Sequence, residues 1–207
     1  MQKLHKEILT KEQLELIPLI GLFKRDFGLA GGTAIALHIG HRQSIDFDLF
    51  SLKKFYNAKI IKKIKGMKKI EKISRQEEDQ ITFYIEDVQF TFLYYPFQIA
   101  FPENLDGVIK IPDLLTLAAM KAYTIGRRAK WKDYVDLYFI IKDFFTVTKI
   151  AKKAKEIFGG EFNERIFREA LSYFQDINYQ EEIKYLRGFE VDKKTVQKAL
   201  ITFSVTV

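Results

Sequence analysis

The sequence lacks several features by which whole classes of protein are recognised. It has no cysteine and only four prolines among 207 residues, and no uninterrupted apolar run is long enough to span a bilayer. The absence of cysteine excludes disulfide frameworks, zinc ribbons, iron–sulfur sites and cysteine catalysis. Because the N-terminus carries charges and no apolar leader, we expect a cytoplasmic protein that does not associate with membranes.

The composition indicates a folded protein with a substantial core. Hydrophobic residues make up 47% of the chain and charged residues 29%, and 19 residues are phenylalanine. So many order-promoting residues with so few chain breakers exclude a disordered tail or linker. A chain of 207 residues is long enough for one domain or two closely packed lobes.

The spacing of apolar residues changes at Pro112. Before it, the pattern predicts short strands at 27–30, 45–50, 69–74, 81–85, 88–94 and 108–111, with helices at 12–25, 33–39 and 53–66. After it, helical spacing recurs at 112–125, 131–143, 146–157, 163–175 and 192–203. We therefore predict an α+β fold, in which residues 1–111 form an α/β lobe and residues 112–207 form a helical lobe.

Positive charge is concentrated in one segment. The formal net charge is +7, and between Ser51 and Arg75 ten basic residues face the single acid Glu71. This segment, Lys53–Arg75, can be a phosphate-contacting surface, with binding that weakens as salt rises. It can equally be a solvated helix face, since lysine clusters are common on surfaces.

A glycine pair stands between a short predicted strand and a helix. The residues are Gly31 and Gly32, and Thr33 follows them. Glycines allow the backbone to approach a ligand closely, and the N–H groups at the start of a helix favour an anion. Thr33 is placed to cap the helix or to contact a phosphate oxygen. Alone, such a pair also fits an ordinary turn.

Two carboxylates follow on the next predicted strand. Between Ile45 and Phe50 the apolar residues alternate with Asp46 and Asp48, so both carboxylates project from one face. Carboxylates two residues apart can hold one or two divalent metal ions, although an edge strand with a solvated face has the same pattern. Beside a phosphate-binding turn, they indicate phosphoryl or nucleotidyl transfer.

Two motifs together resemble a known enzyme family. The first joins the glycine pair and Thr33 to an Arg-x-Ser-x-Asp-x-Asp run formed by Arg42, Ser44, Asp46 and Asp48. The second joins a lysine-containing helix to a Lys-Asp-x-x-Asp-Leu run, formed by Lys121, Ala122, Arg127 or Arg128, and residues 132–137. Over about residues 27–140, this combination is similar to the signature of DNA-polymerase-β-like nucleotidyltransferases, specifically the AbiEii/MenT group of toxin-type enzymes.

The resemblance implies a polymerase-β-like lobe with a mixed sheet, followed by a helical lobe that contributes Lys121 and Asp133 or Asp136 to the cleft. It implies that Mg²⁺ or Mn²⁺ binds Asp46 and Asp48. The residues implied to bind the NTP are Gly31, Gly32, Thr33, Arg42 and Lys121. The residues implied to be catalytic are Ser44, Asp46, Asp48, Lys121, Asp133 and Asp136.

The resemblance also implies the reaction and its partners. The enzyme would transfer NMP from an NTP to an acceptor hydroxyl, such as that of a tRNA 3′ end, and the segment Lys53–Arg75 would hold the RNA. A toxin of this kind would have an antitoxin protein as its partner. From the residues alone, Lys121 can instead be an amphipathic lysine at a helix edge, and Asp133 and Asp136 can simply pair with Lys132 or Arg128.

One position departs from the polymerase-β-like pattern. Such enzymes commonly carry a third metal-binding acid on a later strand, and here the strand at 88–93 has Gln89 and Thr91 instead. Either Asp133 or Asp136 replaces that acid, or two carboxylates suffice. The remaining alternative is a catalytically silent relative that binds nucleotide or RNA and acts through a partner.

Overall fold

The computed structural model describes residues 4–206, which divide into two compact units between Asp113 and Leu114. In chain order the first unit contains α1 (Lys11–Gly21), β1 (Gly28–Ala30), α2 (Gly31–Ile39), β2 (Phe47–Ser51), α3 (Asn57–Lys65), β3 (Lys72–Glu77), β4 (Gln80–Ile85), β5 (Val88–Tyr94), β6 (Glu103–Leu105) and β7 (Ile109–Ile111). The second contains α4 (Leu114–Ile125), α5 (Trp131–Asp143), α6 (Val147–Phe158), α7 (Glu164–Ser172) and α8 (Lys193–Val205).

A seven-stranded mixed sheet forms the first unit, in the order β3-β4-β5-β2-β1-β7-β6. Strand β2 runs parallel to β5, and β1 runs parallel to β7, whereas the other neighbours are antiparallel. One face of the central strands is packed with aromatic side chains that are almost fully buried, namely Phe47, Phe83, Phe90 and Phe92. Burial of such rings is the main source of stability for a sheet of this size. The sheet and helices confirm the predicted α+β fold.

The predicted hairpin at 81–94 is present as β4 and β5. Glu86 and Asp87 both have positive φ, 51° and 61°, as a two-residue turn that follows the twist of the strands requires. Strand β3 pairs with β4 at the edge of the sheet and exposes all of its side chains. Because no apolar pattern marks its ends, it lies three residues beyond the predicted 69–74.

Three boundaries near the glycine pair differ from the prediction. The helix α1 ends at Gly21 instead of continuing to residue 25, because the chain turns before β1. Gly31 and Gly32 form the first turn of α2 instead of a break before it. Strand β2 begins at Phe47, and Ile45 is 52% exposed, so Ile45 does not belong to the apolar face.

The second unit consists of helices with defined starting points. Side chains of Thr146, Asn163 and Asp192 accept hydrogen bonds from backbone N–H groups in the first turns of α6, α7 and α8. Helices α4 and α5 are the most buried of the five, and several of their polar residues lie inside. Within residues 4–206, no helix has the length and apolar character needed to cross a membrane.

Candidate active site

The Asp48 carboxylate packs directly against the start of helix α2. Asp48 lies opposite Ala30 in the antiparallel pairing of β2 with β1, and Gly31 follows Ala30 as the first residue of α2. A Cβ atom at Gly31 would lie 2.9 Å from Asp48 Cγ and would overlap a carboxylate oxygen. Gly31 also has φ +69°, which side chains rarely adopt. Glycine is therefore required here both by conformation and by the position of Asp48.

The Arg42 guanidinium and the Ser44 hydroxyl occupy the corresponding space above Gly32. A Cβ atom there would lie 2.7 Å from Arg42 Nη2 and 3.5 Å from Ser44 Oγ. Arg42 is buried, and its Nη1 donates a hydrogen bond of 2.9 Å to the Gln43 carbonyl oxygen. The glycine pair thus allows an aspartate, an arginine and a serine to approach the N-terminus of α2.

Thr33 fastens the loop that carries Ser44 and Asp46 to helix α2. Its side chain is buried, and its hydroxyl lies 2.9 Å from Ser44 Oγ, 3.4 Å from the Ser44 carbonyl oxygen and in close contact with the Asp46 carbonyl oxygen. Losing such a buried hydrogen bond costs about 1–3 kcal/mol. Thr33 therefore positions its neighbours, and its contact with phosphate stays a prediction.

The oxygen ligands in this unit are compatible with a magnesium ion. Asp46 and Asp48 flank the fully buried Phe47, and each is half-buried. Magnesium is usually bound by one or two carboxylates together with substrate phosphates and water. In the part of the chain that the structure describes, no group of three or more histidine, aspartate or glutamate side chains is arranged to hold a metal ion. A metal here would therefore rest on two carboxylates and the substrate.

Strand register identifies which residue stands where a third acid is expected. Thr91 on β5 is the direct neighbour of Asp48 on β2, and Gln89 is instead opposite Tyr84, whose hydroxyl donates a 2.8 Å hydrogen bond to it. The Thr91 hydroxyl lies 3.4 Å from the Thr82 hydroxyl. Thr91 therefore extends a polar row across the sheet and supplies no charge beside Asp48.

In the second unit, Lys121 is held in a buried ion cluster. Its ammonium is 2.7 Å from Asp133 Oδ1 and 3.2 Å from Asp136 Oδ2, and neither aspartate is exposed. Arg128 completes the cluster through its Nε, which is 3.0 Å from Asp133 Oδ2. Two cations and two carboxylates balance in charge, as a buried group of this kind requires. Half of the Arg128 side chain faces solvent, and Lys121 is only 6% exposed.

The charges of this cluster fix the ionisation of Asp133. Burial alone would raise the pKa of its carboxyl, but the Lys121 ammonium and the Arg128 guanidinium outweigh burial and hold that pKa below its ordinary value. Asp133 is therefore a carboxylate at neutral pH. Both aspartates contact the Lys121 ammonium, and Asp133 also pairs with Arg128, as the alternative from the residues alone allows; the catalytic role of the three residues stays a prediction.

The structure also separates two arginines that the sequence left as alternatives. Arg128 contacts Asp133, whereas Arg127 lies 3.8 Å above the Tyr123 ring and pairs with Glu161. Arg128 was not among the predicted site residues, because two adjacent arginines in a turn are indistinguishable by spacing. A salt-bridge partner five residues away, Asp133, is the signal that distinguishes it.

Comparison with known proteins supplies the family. The model of the family described as "Nucleotidyl transferase AbiEii toxin, Type IV TA system" matches residues 20–200. The chain belongs to the AbiEii family. The matched residues extend beyond the two sequence motifs and include all of α4 to α7 and most of α8. The resemblance that the two motifs carry is therefore confirmed, and the protein is a nucleotidyltransferase.

Individual proteins are similar to this chain in sequence or in fold. An uncharacterized protein of Aquifex aeolicus (strain VF5) is 33% identical over 187 residues, which cover 85% of each chain. MenT4, a nucleotidyltransferase toxin from Mycobacterium tuberculosis H37Rv, has a similar fold with a TM-score of 0.58 at 10% identity, covering 93% of this chain and 81% of MenT4. JHP933 from Helicobacter pylori has a TM-score of 0.56 at 15% identity, covering 95% and 91%. At such identities the structures support the AbiEii-family fold alone.

Proposed function

We propose that this AbiEii-family protein transfers NMP from an NTP to a hydroxyl group of RNA, such as a tRNA 3′ end, in a magnesium-dependent reaction. We further propose that it acts in the cytoplasm as a toxin restrained by an antitoxin protein. The observation that carries the proposal is the packing of the Asp48 carboxylate against Gly31 at the start of α2. It brings an oxygen ligand for a metal next to a helix N-terminus that favours phosphate.

The first unit supplies the residues that would hold the NTP. The N-cap residue of α2 is Ala30, which forms no side-chain hydrogen bond to the first turn, and the Arg42 guanidinium lies above Gly32. N–H groups and a guanidinium together orient the oxygens of a triphosphate. Thr33 keeps Ser44 and Asp46 in place through its hydroxyl. Ser44 completes this wall of the site as a hydrogen-bonding hydroxyl.

Asp46 and Asp48 are the proposed metal ligands. A bound Mg²⁺ or Mn²⁺ would supply positive charge at the phosphate oxygens, where negative charge develops during transfer. The acceptor hydroxyl oxygen forms a bond to the α-phosphorus while the bond from that phosphorus to the bridging oxygen breaks. Pyrophosphate leaves with the bridging oxygen, and the hydroxyl proton passes to water. With Thr91 beside Asp48, the proposed reaction rests on two carboxylates, and the missing third acid is the observation that favours the silent, nucleotide-binding alternative.

Lys121 is the proposed catalytic lysine of the second unit. An ammonium of this kind acts on phosphate as a point charge. Asp133 and Asp136 hold its ammonium at 2.7 Å and 3.2 Å, so they fix its position. We propose that the two aspartates serve catalysis through Lys121, together with the contact from Arg128.

Acceptor binding is assigned to the segment Lys53–Arg75. Most of its lysines are exposed. Four of them lie on helix α3, which ends at Lys65. A surface of this charge attracts RNA without reading its sequence. The exposure of these lysines supports an RNA acceptor.

Incubation with Mg²⁺, each α-³²P-labelled NTP in turn and total tRNA tests the proposal. We expect label in RNA with the wild-type protein, and a loss of at least a hundredfold with Asp46→Asn, because a neutral amide is a poor magnesium ligand. Asp79→Asn is the matched control, since Asp79 is an exposed carboxylate in the turn between β3 and β4 of the same unit.

The outcomes separate the alternatives. Equal labelling with wild type and Asp46→Asn would contradict the metal-ligand assignment. Label on the protein itself would identify a protein acceptor and contradict the RNA proposal. NTP binding without transfer to any acceptor would favour the silent alternative.

A further inference from the structure

A second feature of the first unit is a groove of about 680 Å³ between helix α3 and the segment that joins α1 to β1. Ser51 at the end of β2 also lines it. Asp48 lies three residues before Ser51 on the same strand, a separation of about 10 Å at the rise of a β-strand. The groove therefore opens at the other end of β2 from the proposed metal ligands.

The groove is strongly basic. Five lysines line it against the single acid Asp26, and all five are exposed: Lys53, Lys54, Lys59, Lys62 and Lys63. Within residues 4–206, only Lys54 of these has a carboxylate in ion-pair range, namely Glu78 at 3.7 Å. Lys63 donates a 2.7 Å hydrogen bond to the Leu22 carbonyl oxygen. A concave surface with this excess of positive charge attracts polyanions.

Later members of the segment Lys53–Arg75 are engaged differently. Lys68 pairs with Glu86 at 2.6 Å, and Arg75 pairs with Glu77 at 2.8 Å. Lys65, Lys69 and Lys72 are exposed as well, but they do not line the groove. The groove differs from the rest of the segment because it gathers five lysines on one concave surface.

Aromatic side chains form the floor and rim of the same groove. Phe23 and Phe27 are buried in the sheet's aromatic core, and the Phe55 ring lies 5.1 Å from Phe27. At the rim, Tyr56 is 72% exposed, and Lys59 Nζ lies 5.3 Å from the centre of its ring. An exposed aromatic ring beside lysines is the arrangement by which proteins stack a base while contacting the adjacent phosphates.

We propose that this groove binds an unpaired stretch of RNA, with one base stacked on Tyr56 and the neighbouring phosphates contacted by Lys53, Lys59 and Lys62. The proposal rests on the proposed function, because it assigns to the groove the part of the acceptor RNA that lies beyond the reacting end. RNA is favoured over an acidic protein because the site places an exposed aromatic ring beside lysine point charges, and a nucleobase stacks on such a ring whereas a carboxylate does not.

Fluorescence anisotropy with labelled oligouridylate, in the absence of NTP, tests the groove independently of transfer. We expect Tyr56→Ala to weaken binding about tenfold and Tyr56→Phe to preserve it, because phenylalanine keeps the stacking face. The combined variant Lys53→Ala/Lys59→Ala/Lys62→Ala should reduce the slope of log K against log salt by about 2, since each single-strand phosphate contact contributes about 0.7.

A charge-matched control is available on the second unit. Lys152, Lys194 and Lys198 are exposed, and their combined replacement by alanine lowers the net charge by the same amount. The control should bind oligouridylate with the wild-type salt slope. Circular dichroism melting should give wild-type stability for all variants, since the substituted side chains are exposed.

Loss of RNA binding at the groove and loss of transfer to RNA can be told apart in these experiments. Equal binding by the groove variant and the control would overturn the groove assignment, even if RNA is labelled. Polyglutamate that competes as strongly as oligouridylate would also overturn it, because it would identify a site for acidic protein. If tRNA is never labelled but the groove variants lose RNA binding, the groove stands and the transfer reaction to RNA does not.

Discussion

Replacement of Lys121 by methionine tests the buried ion cluster of the second unit. Methionine preserves most of the side-chain volume but removes the ammonium that contacts both Asp133 and Asp136. Removing one partner from a buried ion pair costs about 3–5 kcal/mol, because a charge remains in the interior. Arg128 still contacts Asp133, so we expect a loss of about 3 kcal/mol in the free energy of unfolding.

Urea denaturation followed by circular dichroism measures this loss. Lys155→Met is the matched control, because Lys155 is exposed on helix α6 and its replacement should change stability by less than about 0.5 kcal/mol. A loss below about 1 kcal/mol for Lys121→Met would contradict the ion cluster's role in stability, since it would mean that the carboxylates do not depend on the ammonium.

The pH dependence of the same measurement identifies the cause. The pKa of Asp133 in the folded protein is held below its ordinary value. The ionised carboxylate therefore stabilises the fold fully at any pH above that ordinary pKa. The effect is lost as pH falls through the folded-state pKa. In Lys121→Met the Asp133 carboxyl loses the nearby ammonium and binds a proton more readily. The difference in the free energy of unfolding between variant and wild type should therefore narrow as pH falls to about 4. A stability difference that does not change with pH would mean that lost packing, and not lost charge, destabilises the variant.

Three further variants concern the first unit. Gly31→Ala should abolish transfer to RNA, because the added Cβ would displace Asp48 and the left-handed φ adds a cost of about 1–2 kcal/mol. Activity within twofold of wild type in the labelling assay would contradict this prediction. Thr33→Val should lower the free energy of urea unfolding by about 1–2 kcal/mol and lower transfer further, because it releases Ser44; unchanged stability would contradict the anchoring role. Thr91→Asp should raise Mn²⁺ affinity, measured by electron paramagnetic resonance, by placing a carboxylate beside Asp48; unchanged affinity would contradict the register argument, with Thr91→Asn as the control.

The sequence predicted strands and helices where the spacing of apolar residues reflected the burial of one face. The hairpin of β4 and β5 alternates clearly, and its turn at Glu86 and Asp87 is polar. Strand β3 exposes both faces, so no apolar alternation marked its bounds accurately. Strand β6 has only three residues and was not predicted. Ile45 continued the alternation of β2, but Thr33 anchors the loop before that strand and Ile45 remains exposed.

The candidate site divides in the same way. Spacing predicted Asp46 and Asp48 as a pair on one face of a strand. Asp46 instead precedes β2, which begins at Phe47, and the metal-ligand role of the two carboxylates stays a prediction. Spacing could not choose between Gln89 and Thr91 as the neighbour of Asp48, since register depends on the pairing of two distant strands. The basic groove was also beyond the sequence, because Phe23 and Tyr56 meet only after the sheet has formed.

The most direct test of nucleotidyl transfer compares parallel reactions with α-³²P-labelled and γ-³²P-labelled NTP in the presence of Mg²⁺ and total tRNA. We expect the α label to enter RNA and the γ label to appear only in pyrophosphate, and we expect Asp48→Asn to abolish both. Entry of the γ label into RNA would identify phosphoryl transfer and contradict the account, as would transfer that is unaffected by Asp48→Asn.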